Sequence, residues 1–281
     1  MLELISEHAC FGGVQRYYRH HSAAIGLPMR FSVFLPPQAA ASKVPALFYL
    51  AGLTCTEETF MTKAGAQRYA ARAGLVLVAP DTSPRGAGVP GEAESWDLGV
   101  GAGFYVDATE APWSTHYRMY SYILELHELV IAEFPVKADA VGIMGHSMGG
   151  HGALVLALRN PERFKSVSAL APICAPSQCP WGEKAFSTYL GPRREAWADY
   201  DASALMAQMR KPFPNGILVD QGLADKFLAD QLFPHALETA CDTAGQPLEL
   251  HRHADYDHGY YFIATVIEDH LRFHHESLGM P

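Results

Sequence analysis

Short apolar runs alternate along this chain with stretches whose apolar residues recur every three or four positions. Met29–Leu35 (MRFSVFL) alternates apolar and polar residues and stops at Pro36-Pro37. Pro45–Ala51 (PALFYLA) and Leu75–Ala79 (LVLVA) are unbroken apolar runs of strand length, the signature of strands buried on both faces. A helix is expected over about 63–73, closed by Gly74, and a longer one over 116–134 (HYRMYSYILELHELVIAEF). The same alternation continues with a strand at Ala140–Met144, a helix from about Gly150 to Arg159, and a strand at Phe164–Ala171. After it come a short helix near 203–209, strands at Gly216–Asp220 and Pro247–His251, and helices over about 227–243 and 260–275. Strands that alternate with helices predict an α/β fold: a mostly parallel central sheet with helices on both faces, formed by residues 1–281 as one domain.

Two segments break the pattern. Residues 82–113 and 172–198 are too long for ordinary connections, and such loops are usually functional. The first holds Trp96, Phe104, Tyr105 and Trp113, which argue against disorder. Ligands of open α/β sheets bind at the carboxyl ends of the strands, where long loops gather.

Residues 141–160 read VGIMGHSMGGHGALVLALRN, with four glycines around one serine. Gly145-His146-Ser147-Met148-Gly149 is a G-x-S-x-G match between an expected strand and an expected helix. That context makes Ser147 a nucleophile on a tight strand-to-helix turn. A Cβ at Gly145 or Gly149 would collide with neighbouring backbone, and the helix N-terminus turns N–H groups toward developing negative charge.

A serine nucleophile needs a base, and the base an orienting acid, in the chain order Ser, Asp/Glu, His. In VDQGLADKF, Asp220 and Asp225 compete for the acid. Asp220 closes a strand and could simply cap the turn, and spacing leans toward Asp225 without settling the choice. The base lies among His251, His253 and His258. The first two share one face of a strand end, whereas His258 stands in the loop before the last helix. An oxyanion hole needs two N–H donors. Met148 follows the nucleophile, and Leu53, beside Gly52 in the loop after Pro45–Leu50, is the candidate for the second.

Charge and cysteine content exclude other classes. Lys and Arg number 21 against 30 Asp and Glu, a net charge of −9, with no basic cluster suited to nucleic acid or an anionic membrane surface. Five scattered cysteines without a C-x-x-C fit free thiols in a reducing compartment. The acidic N-terminus lacks the form of a secretory signal, and no apolar run is long enough to span a bilayer, so a cytoplasmic location is expected. His251-Arg-His253-Ala-Asp255-Tyr-Asp257-His258 suggests a zinc motif of the H-x-H-x-D-H type, but Tyr256 stands where that motif needs a histidine. No metal is therefore expected in the chemistry.

Several stretches together resemble one family: GLTCTEETF (52–60), DTSPRG (81–86), ESWDLGVGAGFYVDAT (94–109), YRMYSY (117–122), GHSMGGHGAL (145–154), CPWGEKAF (179–186), DQGLADKFL (220–228) and YDHGYYFIATVIEDH (256–270). They are similar to the S-formylglutathione hydrolase (esterase D) family of α/β-hydrolases over nearly the whole chain. The resemblance implies a thioesterase of formaldehyde detoxification that releases glutathione and formate. It implies Ser147, Asp225 and His258 as triad, Leu53 and Met148 as oxyanion donors, no cofactor, and a homodimer or larger homo-oligomer. Trp96 and Trp181 are expected to roof a tight acyl pocket, with Cys55 close by. A general small-acyl carboxylesterase on the same triad is the alternative, and a catalytically silent binding scaffold is a further one. The chain departs from the family pattern at Asp255, where Gly is expected, at Gly259, where Ser is usual, and over residues 175–178.

Overall fold

The computed structural model describes residues 2–279. Its centre is a nine-stranded sheet. The strands are β1 (Glu3–Cys10), β2 (Gly13–His21), β3 (Pro28–Leu35), β4 (Val44–Leu50), β5 (Val76–Pro80), β6 (Val136–His146), β7 (Ser166–Leu170), β8 (Ile217–Gly222) and β9 (Leu248–His253). Their spatial order is β1-β2-β3-β5-β4-β6-β7-β8-β9. Pairs β1–β2, β2–β3 and β3–β5 are antiparallel, and every pair from β5 to β9 is parallel.

The apolar runs of the sequence are the sheet's centre. Every residue of β4, β5 and β7 is buried, as expected of strands covered on both faces. The N-terminal β1–β2 hairpin lies at one edge and carries a more polar, half-exposed pattern. The helices are α1 (Thr59–Lys63), α2 (Gln67–Ala73), α3 (Met119–Glu133), α4 (Met148–Arg159), α5 (Pro180–Tyr189), α6 (Ala202–Gln208), α7 (Pro234–Ala244) and α8 (Tyr260–Ser277). Among the described residues, no helix is long and apolar enough to cross a membrane.

Three helices differ from the sequence expectation, each for a local reason. The helix expected over 63–73 is two helices, α1 and α2, parted at Gly65, which takes a φ of 67°. The helix expected over 227–243 is a wide turn at Leu228–Leu232 followed by α7, because Pro234 cannot donate into a continuing helix. The segment 172–198 contains α5, which opens with Pro180 at its first position, a placement that favours helix initiation.

The long loop 82–113 is held down from several sides. The Tyr189 hydroxyl accepts from Gly99 N–H (2.8 Å) and donates to the Ala102 carbonyl (2.9 Å), and Lys184 pairs with Asp97 at 2.5 Å. These bonds tie the loop to α5, so both long segments cover the same end of the sheet.

Candidate active site

Ser147 sits between β6 and α4 with φ 58° and ψ −119°, a conformation that costs a non-glycine residue energy. The glycines around it make the turn possible. A Cβ on Gly145 would lie 2.1 Å from the Gly149 carbonyl oxygen, and one on Gly149 would lie 2.0 Å from that of Leu50. One on Gly152 would strike the Tyr105 ring at 2.5 Å. The sequence pattern is thus explained by backbone crowding at a strained turn for Gly145 and Gly149, and by the Tyr105 ring packed on α4 for Gly152.

Ser147 lines a cavity of about 120 Å³ together with Gly52, Leu53, Cys55, Trp96, His146, Trp181, Phe227, His258 and Tyr260. His258 Nδ1 lies 2.5 Å from Asp225 Oδ2. A buried carboxylate accepts, so Nδ1 carries the proton and Nε2 is left as the basic nitrogen. Asp225 is fixed in turn: Phe227 N–H donates to its Oδ1 (2.9 Å) and Gln221 Nε2 to its Oδ2 (3.3 Å). Asp225 and His258 are therefore held by the loops that leave β8 and β9.

Asp220, the competing acid, is elsewhere. It is buried among other imidazoles, with His253 Nε2 at 2.5 Å and His270 Nε2 at 3.1 Å. Behind it runs a second Ser-His-Asp arrangement: the Ser168 hydroxyl bonds His270 Nδ1 (2.8 Å) and His274 Nε2 (2.8 Å), and Ser166 bonds His274 Nδ1 (2.6 Å). Ser166, Ser168, His270 and His274 have no exposed surface. No substrate reaches them, and Ser168 stands in mid-strand rather than on a strained turn. This cluster binds β7 to α8 and satisfies polar groups in the core.

Of the two oxyanion candidates, Leu53 lines the cavity with Ser147, and Met148 follows Ser147 in the chain. Gly52 packs against the nucleophile turn, and an added Cβ there would lie 3.2 Å from Ser147 Cβ. Among the described residues, Leu53 N–H finds no acceptor, although Thr54 N–H bonds the Gly101 carbonyl and Cys55 N–H that of Gly52. Met148 opens α4, where an N–H has no partner within the helix.

The loop that holds Leu53 is braced by residues whose roles the sequence did not announce. Tyr105 donates its hydroxyl to the Ala51 carbonyl (2.9 Å), and Thr82 donates to that of Cys55 (2.6 Å). Arg85 also reaches the Cys55 carbonyl (3.2 Å) and forks onto Asp81 (2.7 and 2.8 Å). Aromatic enrichment in the loop and the DTSPRG stretch were the available signals.

Trp96 and Trp181 meet edge to face, ring centroids 5.6 Å apart, and Trp181 packs on Phe227 at 4.6 Å. Trp181 is nearly buried, and Trp96 is 55% exposed at the rim. Burial pushes the Cys55 thiol up from its usual pKa, opposing thiolate formation. Among the described residues, one group could hold a metal ion, Asp220 with His251 and His253. Neither His251 nor His253 lines the Ser147 cavity, and His258 is not part of the group, so the motif considered in the sequence is divided.

Comparison with known proteins agrees with this architecture. The "Putative esterase" family model matches residues 22–273. The chain is 52% identical to the S-formylglutathione hydrolase of Rattus norvegicus over 280 residues, covering 99% of both chains. It is also 52% identical to that of Paracoccus denitrificans, covering 99% of this chain and 98% of that one. A solved S-formylglutathione hydrolase from Agrobacterium tumefaciens superposes with a TM-score of 0.96 at 48% identity, covering 99% of this chain and 100% of that one.

Proposed function

Because the chain belongs to the S-formylglutathione hydrolase family of esterases, we propose that it hydrolyses S-formylglutathione to glutathione and formate through Ser147, His258 and Asp225. The observation that carries the chemistry is the cavity where the strained Ser147 and the Asp225-bonded His258 meet. His258 Nε2 takes the Ser147 proton as the hydroxyl oxygen attacks the thioester carbonyl. The oxyanion forms against the N–H groups of Leu53 and Met148. As the intermediate collapses, the C–S bond breaks and the imidazolium returns its proton to the glutathione sulfur. Water then enters, gives a proton to His258 and attacks the formyl ester. The second collapse restores the Ser147 hydroxyl and releases formate.

Asp225 holds the imidazole in the tautomer this cycle needs and stabilises the imidazolium. Trp96, Trp181 and Cys55 bound the space beside Ser147, and a cavity of about 120 Å³ suits a small acyl group. The single sheet supports reading the chain as one domain. A cytoplasmic location and self-association belong to the same proposal. Leu4, Ile5 and Phe11, exposed on or beside the edge strand β1, offer apolar surface that a second copy would cover.

The test is a substrate series of S-formylglutathione, S-lactoylglutathione and a small aryl acetate. A kcat/KM highest for the formyl thioester supports the assignment. Preference for the aryl acetate replaces it with a general esterase.

A further inference from the structure

On the far side of β8 from the chemistry of Ser147 lies a group of donors with no part in the triad. His251 and His253 stand two residues apart on β9, so the period of a strand puts both imidazoles on one face. Asp220 of β8 is paired in register with His251. Asp220 Oδ1 lies 2.5 Å from His253 Nε2 and 3.5 Å from His251 Nδ1. One donor atom from each residue falls within 4.8 Å of the others. β9 is the last strand of the sheet, and His251 is 44% exposed, so the group opens to solvent at that edge.

We propose that Asp220, His251 and His253 form a binding site for a divalent transition-metal ion of the Zn²⁺ class, joining β8 to β9 at the sheet edge. Zinc takes nitrogen and oxygen donors at about 2.0–2.2 Å in a tetrahedron, which sets donor atoms roughly 3.3 Å apart. The His251–Asp220 separation already meets that spacing, and the His253–Asp220 pair needs to open by less than 1 Å. Solvent supplies the fourth position.

The surroundings suit such a site. Ligating histidines commonly present their other ring nitrogen to a carboxylate. His251 does so, with Nε2 2.9 Å from Glu249 Oε1, which leaves Nδ1 as the free lone pair toward Asp220. The Asp220 side chain is 2% exposed, and among the described residues its Oδ2 lacks a well-aligned donor although His270 is 3.1 Å away. Three imidazoles thus converge on one buried carboxylate, two of them, His251 and His253, from the open edge of the sheet. For His253 to ligate through Nε2, its ring proton moves to Nδ1, which leaves the Nε2 lone pair toward the ion.

The full-length protein, stripped with chelator, is titrated with Co²⁺ while visible ligand-field absorption is followed, and then with Zn²⁺ as competitor. The expected result is one saturable equivalent, displaced by Zn²⁺, without thiolate charge-transfer absorption. Affinity falls at least tenfold in His251→Ala and in His253→Gln and is unchanged in Cys55→Ser. A Zn²⁺-dependent rise in Tm disappears in the same two histidine variants. His251 is half exposed, so its replacement does not threaten the fold. Absence of saturable binding, binding unaltered in both histidine variants, or binding lost in Cys55→Ser overturns the proposal.

Discussion

His146 and His258 face one another with ring centroids 4.4 Å apart and planes inclined by 44°. His146 is buried, among the described residues neither of its ring nitrogens has a hydrogen-bond partner, and burial together with the neighbouring His258 pulls its pKa well below the ordinary value. It is a neutral aromatic wall behind His258, the proposed general base. Phe at this position should keep the wall, whereas Ala should free the His258 ring to move. Misplacement of a catalytic group by about 1 Å can cost ~10²-fold. His146→Ala is therefore expected to lower kcat by roughly 10- to 100-fold with KM little changed, and His146→Phe to recover most of the loss. Equal loss in both variants, read from steady-state kinetics, would give His146 a polar role instead.

Asp225 and Asp220 should separate cleanly in kinetics. Asp225→Asn leaves His258 facing an amide and favours the wrong tautomer, which costs about 10³- to 10⁴-fold in kcat in enzymes of this logic. Asp220→Asn should retain most of the turnover while lowering Tm, since it disturbs the buried imidazole cluster. The reverse ranking, with Asp220 the more damaging to kcat, would move the acid to the second cluster.

Acid should unfold this protein through its histidines. His151 is pushed down to about 4 by burial, and His146 and His274 lie well below the usual value, again chiefly through burial. A histidine whose folded pKa is depressed binds its proton first in the unfolded chain. Its stabilising contribution is whole above about pH 6.5 and is lost as pH falls toward the folded value. Each such proton contributes about 1.4 kcal/mol per pH unit. Urea unfolding at pH 7, 6 and 5 should therefore show stability dropping, with a slope approaching about 4 kcal/mol per unit for three histidines. The lowered pKa of Asp220 acts in the same direction at lower pH, below about 4. A flat profile between pH 7 and 5 would contradict the assignment of these histidines as buried and neutral.

Much of this site was legible because backbone crowding writes itself into residue choice. Gly145, Gly149 and Gly152 announce a turn at Ser147 that tolerates no side chains nearby, and the turn fixes the strand, the helix and the open end of the sheet. The choice between Asp220 and Asp225 was not legible from spacing. Both follow the same strand, and only the path of the loop, with Phe227 N–H and Gln221 on Asp225, decides which faces His258. The bracing of Leu53 by Tyr105, Thr82 and Arg85 was hidden because it joins residues far apart in sequence. Helix α5 was missed because the segment around it is irregular and it opens on Pro180 and carries Gly182, residues that read as loop.

The departure at Asp255 now has a physical description. Asp255 adopts a φ of 65°, where glycine meets no Cβ penalty. Asp255→Gly should raise stability by about 0.5–1 kcal/mol, the gain from relieved strain being reduced by the greater freedom of glycine in the unfolded chain. Chemical denaturation measures it, and a loss of stability would mean that the Asp255 side chain supports the loop before His258.

The central claim is that Ser147, and not the buried serines of β7, carries the acyl group. The most direct measurement is kcat/KM for S-formylglutathione in Ser147→Ala and Ser168→Ala, each checked for folding by circular dichroism. Ser147→Ala is predicted to lose turnover by at least about 10³-fold while remaining folded, and Ser168→Ala to keep activity in whatever fraction stays folded. A folded Ser147→Ala enzyme with near-native turnover would contradict the account.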